Sequence, residues 1–468
     1  MTQQINRKGR PKVLQASLEQ IAAKLRDGTL SAAALMAGAE ARYEATEDRL
    51  NAYRTWAGDR AGKQAGAVDT LLRTGADLGP MMGLPISVKD LYGVPDLPVF
   101  AGTDTEFPQE WRRPGPLVRR ILSQLGLVTG KTHTVEFAFG GLGTNPHWGA
   151  PVNPWSAPGA PRAAGGSSSG AGVSLAQGSA LAALGTDTAG SVRIPASFTG
   201  QTALKTTYGR WSLDGIVPLS PSMDTPGLLG RSIEDLSFLF AAIEERERVA
   251  ARDVGGLRIG IIRNLVWEGI DPVIAETTQA ALAKLEAAGA RLVEVEVPHL
   301  DRVLDIFRRG GLGAPELRGF LDGQFPERIA RLDPAVRGRV DQADEITASD
   351  YLQRRAVLAE CGRSAMRAFE DVDFLVSPTV PVTAPLLADL EDPEFYRQAN
   401  MMALRNTAIV NLLGWCALTL PTGVDGNGIP TGLQIIAPPH QEERLLAAGL
   451  GVEAVLGAAL DLLGPPPL

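Results

Sequence analysis

Apolar and polar positions along this chain repeat at two different periods, and the changes between them predict its elements. Residues 16–75 read as helical. Ser17-Leu18-Glu19-Gln20 is a capping-box pattern, in which Ser17 accepts from a first-turn N–H and Gln20 reaches back. Leu18, Ile21, Ala22 and Leu25 then follow at helical spacing. Residues 83–95 read as a short extended segment between turn residues. Residues 140–172 have almost no apolar period and are rich in Gly, Pro, Ser and Asn. A stretch of that length inside a compact protein is usually functional or disordered. Residues 173–184 return to small apolar residues, as a tightly packed helix would. Residues 257–262 predict a buried strand. Residues 272–288 predict a helix with Ile274, Thr277, Ala281, Leu282 and Leu285 on one face, and 292–297 a second strand. Strand, helix, strand within about forty residues implies neighbouring parallel strands. Residues 374–376 are a further strand candidate. Asp425-Gly426-Asn427-Gly428 sits between apolar runs at 417–424 and 431–437 and predicts a hairpin. The sheet is therefore expected to be mixed and the fold class α/β. Residues 300–370 read as helical and charged, with no chemical motif, and no internal repeat is present.

Composition narrows the chemistry. The 468 residues include 45 Lys+Arg and 53 Asp+Glu, for a net charge of −8. That balance argues against a nucleic-acid partner. The strongest apolar run considered, 409–420, is broken by Asn411 and Gly414, so no membrane span is expected. Arg7, Lys8, Arg10 and Lys12 are followed by no apolar segment, which argues against a secretory signal and for a cytoplasmic protein. There are four histidines and two cysteines. They make neither a disulfide framework nor a zinc site, and no metal or cofactor is expected. Hydrolytic chemistry would have to come from hydroxyls, carboxylates or lysines.

The dense segment is Gly165-Gly166-Ser167-Ser168-Ser169-Gly170-Ala171-Gly172, followed by Gly185-Thr186-Asp187-Thr188-Ala189-Gly190-Ser191-Val192-Arg193-Ile194-Pro195. The first piece alone reads as a flexible loop. In the second, successive small residues let backbone N–H groups converge on one point, as an oxyanion site requires. Together the two resemble the amidase signature family. The match runs from Gly165 through Ala196, with Ser167 and Ser191 24 positions apart. It extends upstream to Leu84-Pro85-Ile86-Ser87-Val88-Lys89-Asp90. Downstream it reaches Ser222-Met223-Asp224-Thr225-Pro226-Gly227, Pro378-Thr379 and Gly432-Leu433-Gln434-Ile435-Ile436. Ser169 stands where glycine is commonest, and Ala189 replaces one of two usual glycines.

The resemblance implies a single catalytic domain over 1–468, built on a large mixed sheet covered by helices on both faces. The helical segment 16–75 would begin it, and 300–370 would be a variable helical region at the substrate pocket. The resemblance also implies Ser191 as nucleophile, Ser167 as a bridging serine on a cis peptide, and Lys89 as base. The oxyanion donors would be the N–H groups of Thr188, Ala189, Gly190 and Ser191, with Ser168, Asp187 and Arg193 supporting the loop. A serine needs a neighbouring base, and lysine serves only when neutral, which requires desolvation. Ile86, Val88 and Leu91 are consistent with that burial.

Other readings compete. Gly166-Ser167-Ser168-Ser169-Gly170 is a literal nucleophile-elbow motif of an α/β-hydrolase-type esterase. That elbow needs a preceding strand, which 158–164 cannot form, and His299 or His440 to complete a triad. His133 and His147 are expected to be structural. Gly130-Lys131-Thr132 fails as a phosphate loop because Leu125 occupies the required glycine position. Relatives of this family also act as the A-type subunit of a complex that amidates charged transfer RNA, a role needing partner subunits. As a small-molecule enzyme the chain would take an amide or carbamate, and a homodimer is allowed. The pocket wall is expected to include Phe137, Phe139, Gly140 and Gly141, with parts of 300–370 and 400–415. Two phenylalanines and few charges favour an uncharged, partly aromatic group, with an aryl amide or aryl carbamate (a urethane) preferred. Both phenylalanines could equally pack in the core. No histidine should be essential, and activity should rise with pH as Lys89 loses its proton.

Overall fold

A computed structural model describes residues 15–468. The basic residues Arg7 to Lys12 lie outside the described residues. Eleven strands form one sheet: β1 Tyr53–Trp56, β2 Pro85–Lys89, β3 Leu127–Thr132, β4 Ala182–Asp187, β5 Thr202–Lys205, β6 Thr225–Gly230, β7 Arg258–Ile262, β8 Arg291–Val295, β9 Phe374–Pro378, β10 Cys416–Val424 and β11 Pro430–Ala437. Their order is β1-β3-β2-β4-β6-β5-β10-β11-β9-β7-β8. The sheet is mixed. β2 runs parallel to β3 and β4, and β7 parallel to β8 and β9. The β7–helix–β8 unit is the one that the apolar spacing predicts, with helix Pro272–Ala287 between its strands. β10 and β11 form the expected antiparallel hairpin, closed at Asp425–Gly428.

The sheet is buried on both faces because its strands alternate between two sets of packing partners. Leu184, Leu204, Leu228, Leu418, Leu433 and Ile435 share one core with the N-terminal helices and helix Ile233–Glu244. Their neighbours Ala183, Ala203 and Leu229 pack on the other face with Ala171, Leu175 and Ala196. Ala417 and Ile436 pack on that face with helix Pro393–Leu412. β2 follows the same rule. Ile86 and Val88 enter the first core, whereas Ser87 bonds Ser174 of helix Ser169–Gln177 at 2.9 Å. Lys89 has the parity of Ser87, so it leaves the sheet on the face that carries the two serine-rich loops.

Several expectations change in detail. Residues 16–75 hold three helices, Leu18–Arg26, Ala32–Leu50 and Gly58–Arg73, interrupted by β1. The Ser17–Gln20 capping box is present. The run at 173–184 divides at Gly178, a left-handed residue (φ 85°) that ends helix Ser169–Gln177 ahead of β4. Residues 409–420 belong partly to helix Pro393–Leu412 and partly to β10. The stretch Glu442–Leu463 is long and apolar enough to cross a membrane by length and composition. It is two helices broken at Gly457, and half of it is buried inside the protein.

Helix Ser169–Gln177 sits close to the backbone of β1 and β3. A Cβ on Gly170 would lie 2.0 Å from the Ala52 carbonyl oxygen and 2.5 Å from the His133 nitrogen. Gly170→Ala is therefore expected to destabilise the protein by about 1–3 kcal/mol through overpacking. A denaturant titration would show this as a lowered midpoint. The exposed Gly62, with nothing within 4 Å of its Cβ position, should tolerate alanine.

Candidate active site

Lys89 ends β2 and is fully buried. Its Nζ lies 2.7 Å from Ser167 Oγ and 2.8 Å from Thr186 Oγ1. No carboxylate touches it. Burial pushes its pKa down to about 7, against the opposing pull of Asp224 and Asp187. The ammonium and the free amine are thus both populated at neutral pH.

The Gly166–Ser167 peptide is cis. Gly166 N–H donates to the Gly141 carbonyl at 2.8 Å, and Val135 N–H to the Ser167 carbonyl at 3.2 Å. Ser168 ties this loop to the second one. Its N–H donates to the Ser191 carbonyl at 3.1 Å, and its hydroxyl donates to the Thr186 carbonyl at 3.2 Å. Lys89 thus contacts Ser167, and the neighbour of Ser167 is tied to the Ser191 backbone. Among the described residues the Ser191 hydroxyl has no hydrogen-bond partner, and Ser191 lines a cavity of about 580 Å³.

The loop at 187–193 is held by a buried ion pair. Arg193 Nη2 and Nε reach Asp187 at 3.0 and 3.1 Å, and both side chains are fully buried. The same guanidinium donates to Gln434 Oε1 at 2.9 Å, Asn411 Oδ1 at 2.6 Å and the Thr407 carbonyl at 3.0 Å. Burial alone would raise the Asp187 carboxyl, but the Arg193 charge and hydrogen bonds overcome it and hold the pKa at about 2. Asp187 in turn accepts from the N–H groups of Gly190 at 2.7 Å and Val192 at 3.2 Å.

That last contact corrects one expectation. The Gly190 N–H is already committed to Asp187 and is not free to meet a substrate oxygen. Among the described residues, the N–H groups of Thr188, Ala189 and Ser191 have no acceptor. Gly190 serves the loop differently. At φ 133° its Cβ would lie 2.1 Å from Thr407 Oγ1, a hydroxyl that donates to the Ala189 carbonyl at 2.6 Å.

The pocket wall also differs from expectation. Phe139 and Gly140 line the cavity. Phe137 does not, because its left-handed backbone (φ 49°) turns the ring into the core, edge-on to Phe107 at 6.1 Å. Gly141 is behind the wall, where its N–H donates to Asn400 Oδ1 at 2.7 Å. Segments at 307–313, 339–342 and 397–404 supply the rest of the wall, and they bring Arg308, Arg339 and Arg397. The wall is therefore more charged than the sequence around the phenylalanines suggests.

The histidines take structural places. His133 is buried, with its pKa pushed down to about 3 by desolvation. Its Nε2 lies 2.6 Å from the Gly149 carbonyl, so that nitrogen carries the proton. His147 pairs with Glu136 at 2.9 Å. His299 stands at the start of helix Leu300–Arg308, and His440 donates its backbone N–H to Thr207. None of the four lines the cavity. Lys131 is neutralised by Asp90 at 2.7 Å, which gives it a structural role.

Thr186, Asp224 and Gln434 stand in the motif segments, and Asn411 in an apolar run, without the sequence assigning any of them a role at the site. Asp224 accepts from Thr188 Oγ1 at 2.5 Å and from the N–H groups of Leu219 and Ser220, and burial raises its pKa to about 6. Asn411 and Gln434 did leave a signal: each is a lone amide within an apolar run. Both reach the guanidinium of Arg193.

A family model described as Amidase matches residues 35–446, and the chain belongs to that family. It is a hydrolase of carbon–nitrogen bonds other than peptide bonds. Among its relatives, a 2-amino-5-chloromuconic acid deaminase from Comamonas testosteroni is 56% identical over 97% of this chain and 98% of its own. An amidase from Pseudomonas putida is 32% identical over 93% of this chain and 95% of its own. The A-type subunit of a glutamyl-tRNA(Gln) amidotransferase from Streptomyces coelicolor is 30% identical over 94% of this chain and 96% of its own. A crystal structure of an amidase superposes with a TM-score of 0.86 at 32% identity, covering 94% of this chain and all of that one.

Asp187→Asn should leave Arg193 buried without its counter-charge. A loss of about 3–5 kcal/mol is expected, readable as a drop in the urea midpoint. Gln434→Leu removes one neutral acceptor of Arg193 and should cost less.

Proposed function

We propose that the chain cleaves its substrate's C–N bond through an acyl-enzyme on Ser191, with Ser167 as proton relay and Lys89 as base. The observation that carries this reading is the contact of a desolvated, ion-pair-free Lys89 with Ser167 Oγ at 2.7 Å. Neutral Lys89 takes the Ser167 proton as Ser167 takes that of Ser191. Ser191 Oγ then bonds the substrate carbonyl carbon, and the negative oxygen is received by the N–H groups of Thr188, Ala189 and Ser191. The proton returns from Lys89 through Ser167 to the nitrogen, which leaves as ammonia or an amine. Water repeats the sequence in reverse roles and frees the acid from Ser191.

Two observations bear on the substrate. Likeness to the Comamonas deaminase over nearly the whole of both chains supports release of ammonia from a small acid, and the acyl-enzyme route requires that this nitrogen sit on a carbonyl carbon, as in a primary amide. Phe139, Phe307, Leu312 and Met223 on the cavity wall favour an apolar or aryl portion, as in an aryl amide or carbamate. Purified protein assayed for ammonia from 2-aminomuconate-type acids and primary amides, beside anilides and aryl carbamates, separates the two. Turnover by the isolated chain would also remove the reading as one component of a transfer-RNA amidating complex.

Ser191→Ala should lower kcat by about 10³-fold or more with an unchanged melting profile. Wild-type turnover in that variant would refute the nucleophile. The kcat/KM profile should rise with pH through a limb near about 7, since burial lowers Lys89 into that range and only its neutral form accepts a proton. Lys89→Met should abolish most activity and flatten what remains. Survival of the limb in that variant would assign it to another group, such as Asp224.

A further inference from the structure

The cavity wall carries positive charge that the protein leaves unmatched. Among the described residues no aspartate or glutamate lines the cavity, whereas three arginines do. Arg397 is satisfied by Glu394, at 2.7 and 2.9 Å. The other two are not. Arg308, the last residue of helix Leu300–Arg308, makes no hydrogen bond or ion pair with any described residue. Arg339, from helix Pro334–Asp341, is half-buried. It donates to the Phe139 carbonyl and, at 3.4 Å, to the Tyr396 hydroxyl. The rings of Phe139 and Tyr396 lie 5.2 and 5.6 Å from its guanidinium carbon. All of these neighbours are neutral. They fix the guanidinium in place, occupy two of its five N–H donors, and leave the rest open.

A guanidinium withdrawn from water without a counter-ion is costly, and a ligand anion removes that cost. The rigid fork of donors matches a carboxylate. The buried carboxylate of Asp224, which accepts from the lining residue Thr188, is also occupied by the N–H groups of Leu219 and Ser220. The same wall carries the apolar side chains of Phe139, Leu312 and Met223.

We propose that Arg339, assisted by Arg308, forms a carboxylate-binding subsite within the Ser191 cavity. It selects substrates with a short hydrocarbon chain, a carboxylate at one end and the scissile C–N bond at the other. The reactive half of this statement rests on the proposed role of Ser191; the binding half does not.

The test separates the two halves. cis,cis-Muconate, a six-carbon diacid without a C–N bond, is titrated calorimetrically into the full-length protein beside its dimethyl ester. The diacid should bind and the ester should bind at least about 10-fold more weakly. Arg339→Gln should weaken the diacid about 10- to 100-fold, the range for one charge-assisted bidentate contact. Arg339→Lys should recover part of this, and Arg308→Gln should cost a few-fold. If Arg339→Gln does not fold, Arg308→Gln and the weakening of the wild-type complex by salt decide the matter. Equal affinities for diacid and ester, or unchanged diacid binding in both glutamine variants, would overturn the subsite. In turnover, the half-amide of a short diacid should beat its methyl ester in kcat/KM, with the variants raising KM more than they lower kcat. Diacid binding without hydrolysis of any amide would refute the Ser191 chemistry and keep the subsite. Hydrolysis of neutral amides without diacid binding would do the reverse.

Discussion

The site depends on keeping one lysine out of water without giving it a carboxylate. Two buried lysines on adjacent strands make the point. Lys131 on β3 meets Asp90 at 2.7 Å and is an ion pair. Lys89 on β2 meets only hydroxyls. Desolvation lowers the pKa of both, but only Lys131 has a contacting carboxylate that opposes it. The difference between a structural cation and an available base is thus set by one position of register and the residues that face it. Asp187 and Asp224 are near enough to oppose the shift, yet each is held by other donors, and burial prevails.

That arrangement constrains the neighbouring loop. Asp187 must be kept anionic and occupied so that it does not claim Lys89. Arg193 does this, and Asn411, Gln434 and Thr407 hold Arg193 from a helix and a strand far along the chain. The carboxylate then spends its remaining acceptor capacity on the N–H groups of Gly190 and Val192. This bends the loop so that the Thr188, Ala189 and Ser191 N–H groups stay unclaimed. A buried ion pair is weak evidence for stability. Here its use is positional, since it fixes backbone donors that would otherwise have to be ordered when substrate arrives.

Much of this is legible in the sequence because the residues of the candidate site lie in short, contiguous motifs. Lys89, Ser167, Asp187, Ser191 and Arg193 are all read directly, and so are the capping box at Ser17 and the β7–helix–β8 unit. The Gly190 N–H is misread because a motif does not say which donors the loop consumes internally. Phe137 and Phe139 are two residues apart, and period alone cannot tell that a left-handed turn sends one ring to the core and the other to the cavity. β5 and β6 escape because Thr-Pro-Gly and similar short runs lack a period; their strand state is imposed by the flanking strands of the sheet. The partners Asn411 and Gln434 are visible as polar interruptions in apolar runs, but the residue they meet is more than 200 positions away.

The least legible part is the cavity wall, and the reason is informative. Lys89 ends β2, Ser167 just precedes helix Ser169–Gln177, and Ser191 follows β4, so the sheet and its loops fix their spacing. The wall comes from helices at 300–342 and from the first half of Pro393–Leu412, which carry no motif; the second half of that helix holds the Ser191 loop through Thr407 and Asn411. None of the hydrogen bonds that hold Lys89 comes from the wall residues. A reading confined to the segment around Phe139 finds an uncharged pocket. The helices packed across from it supply Arg308 and Arg339. The family motifs are therefore written in the sheet and its loops, and the charge of the cavity wall in helices that fold over them. A likeness confined to the motif residues carries the first property from one protein to another and says nothing of the second.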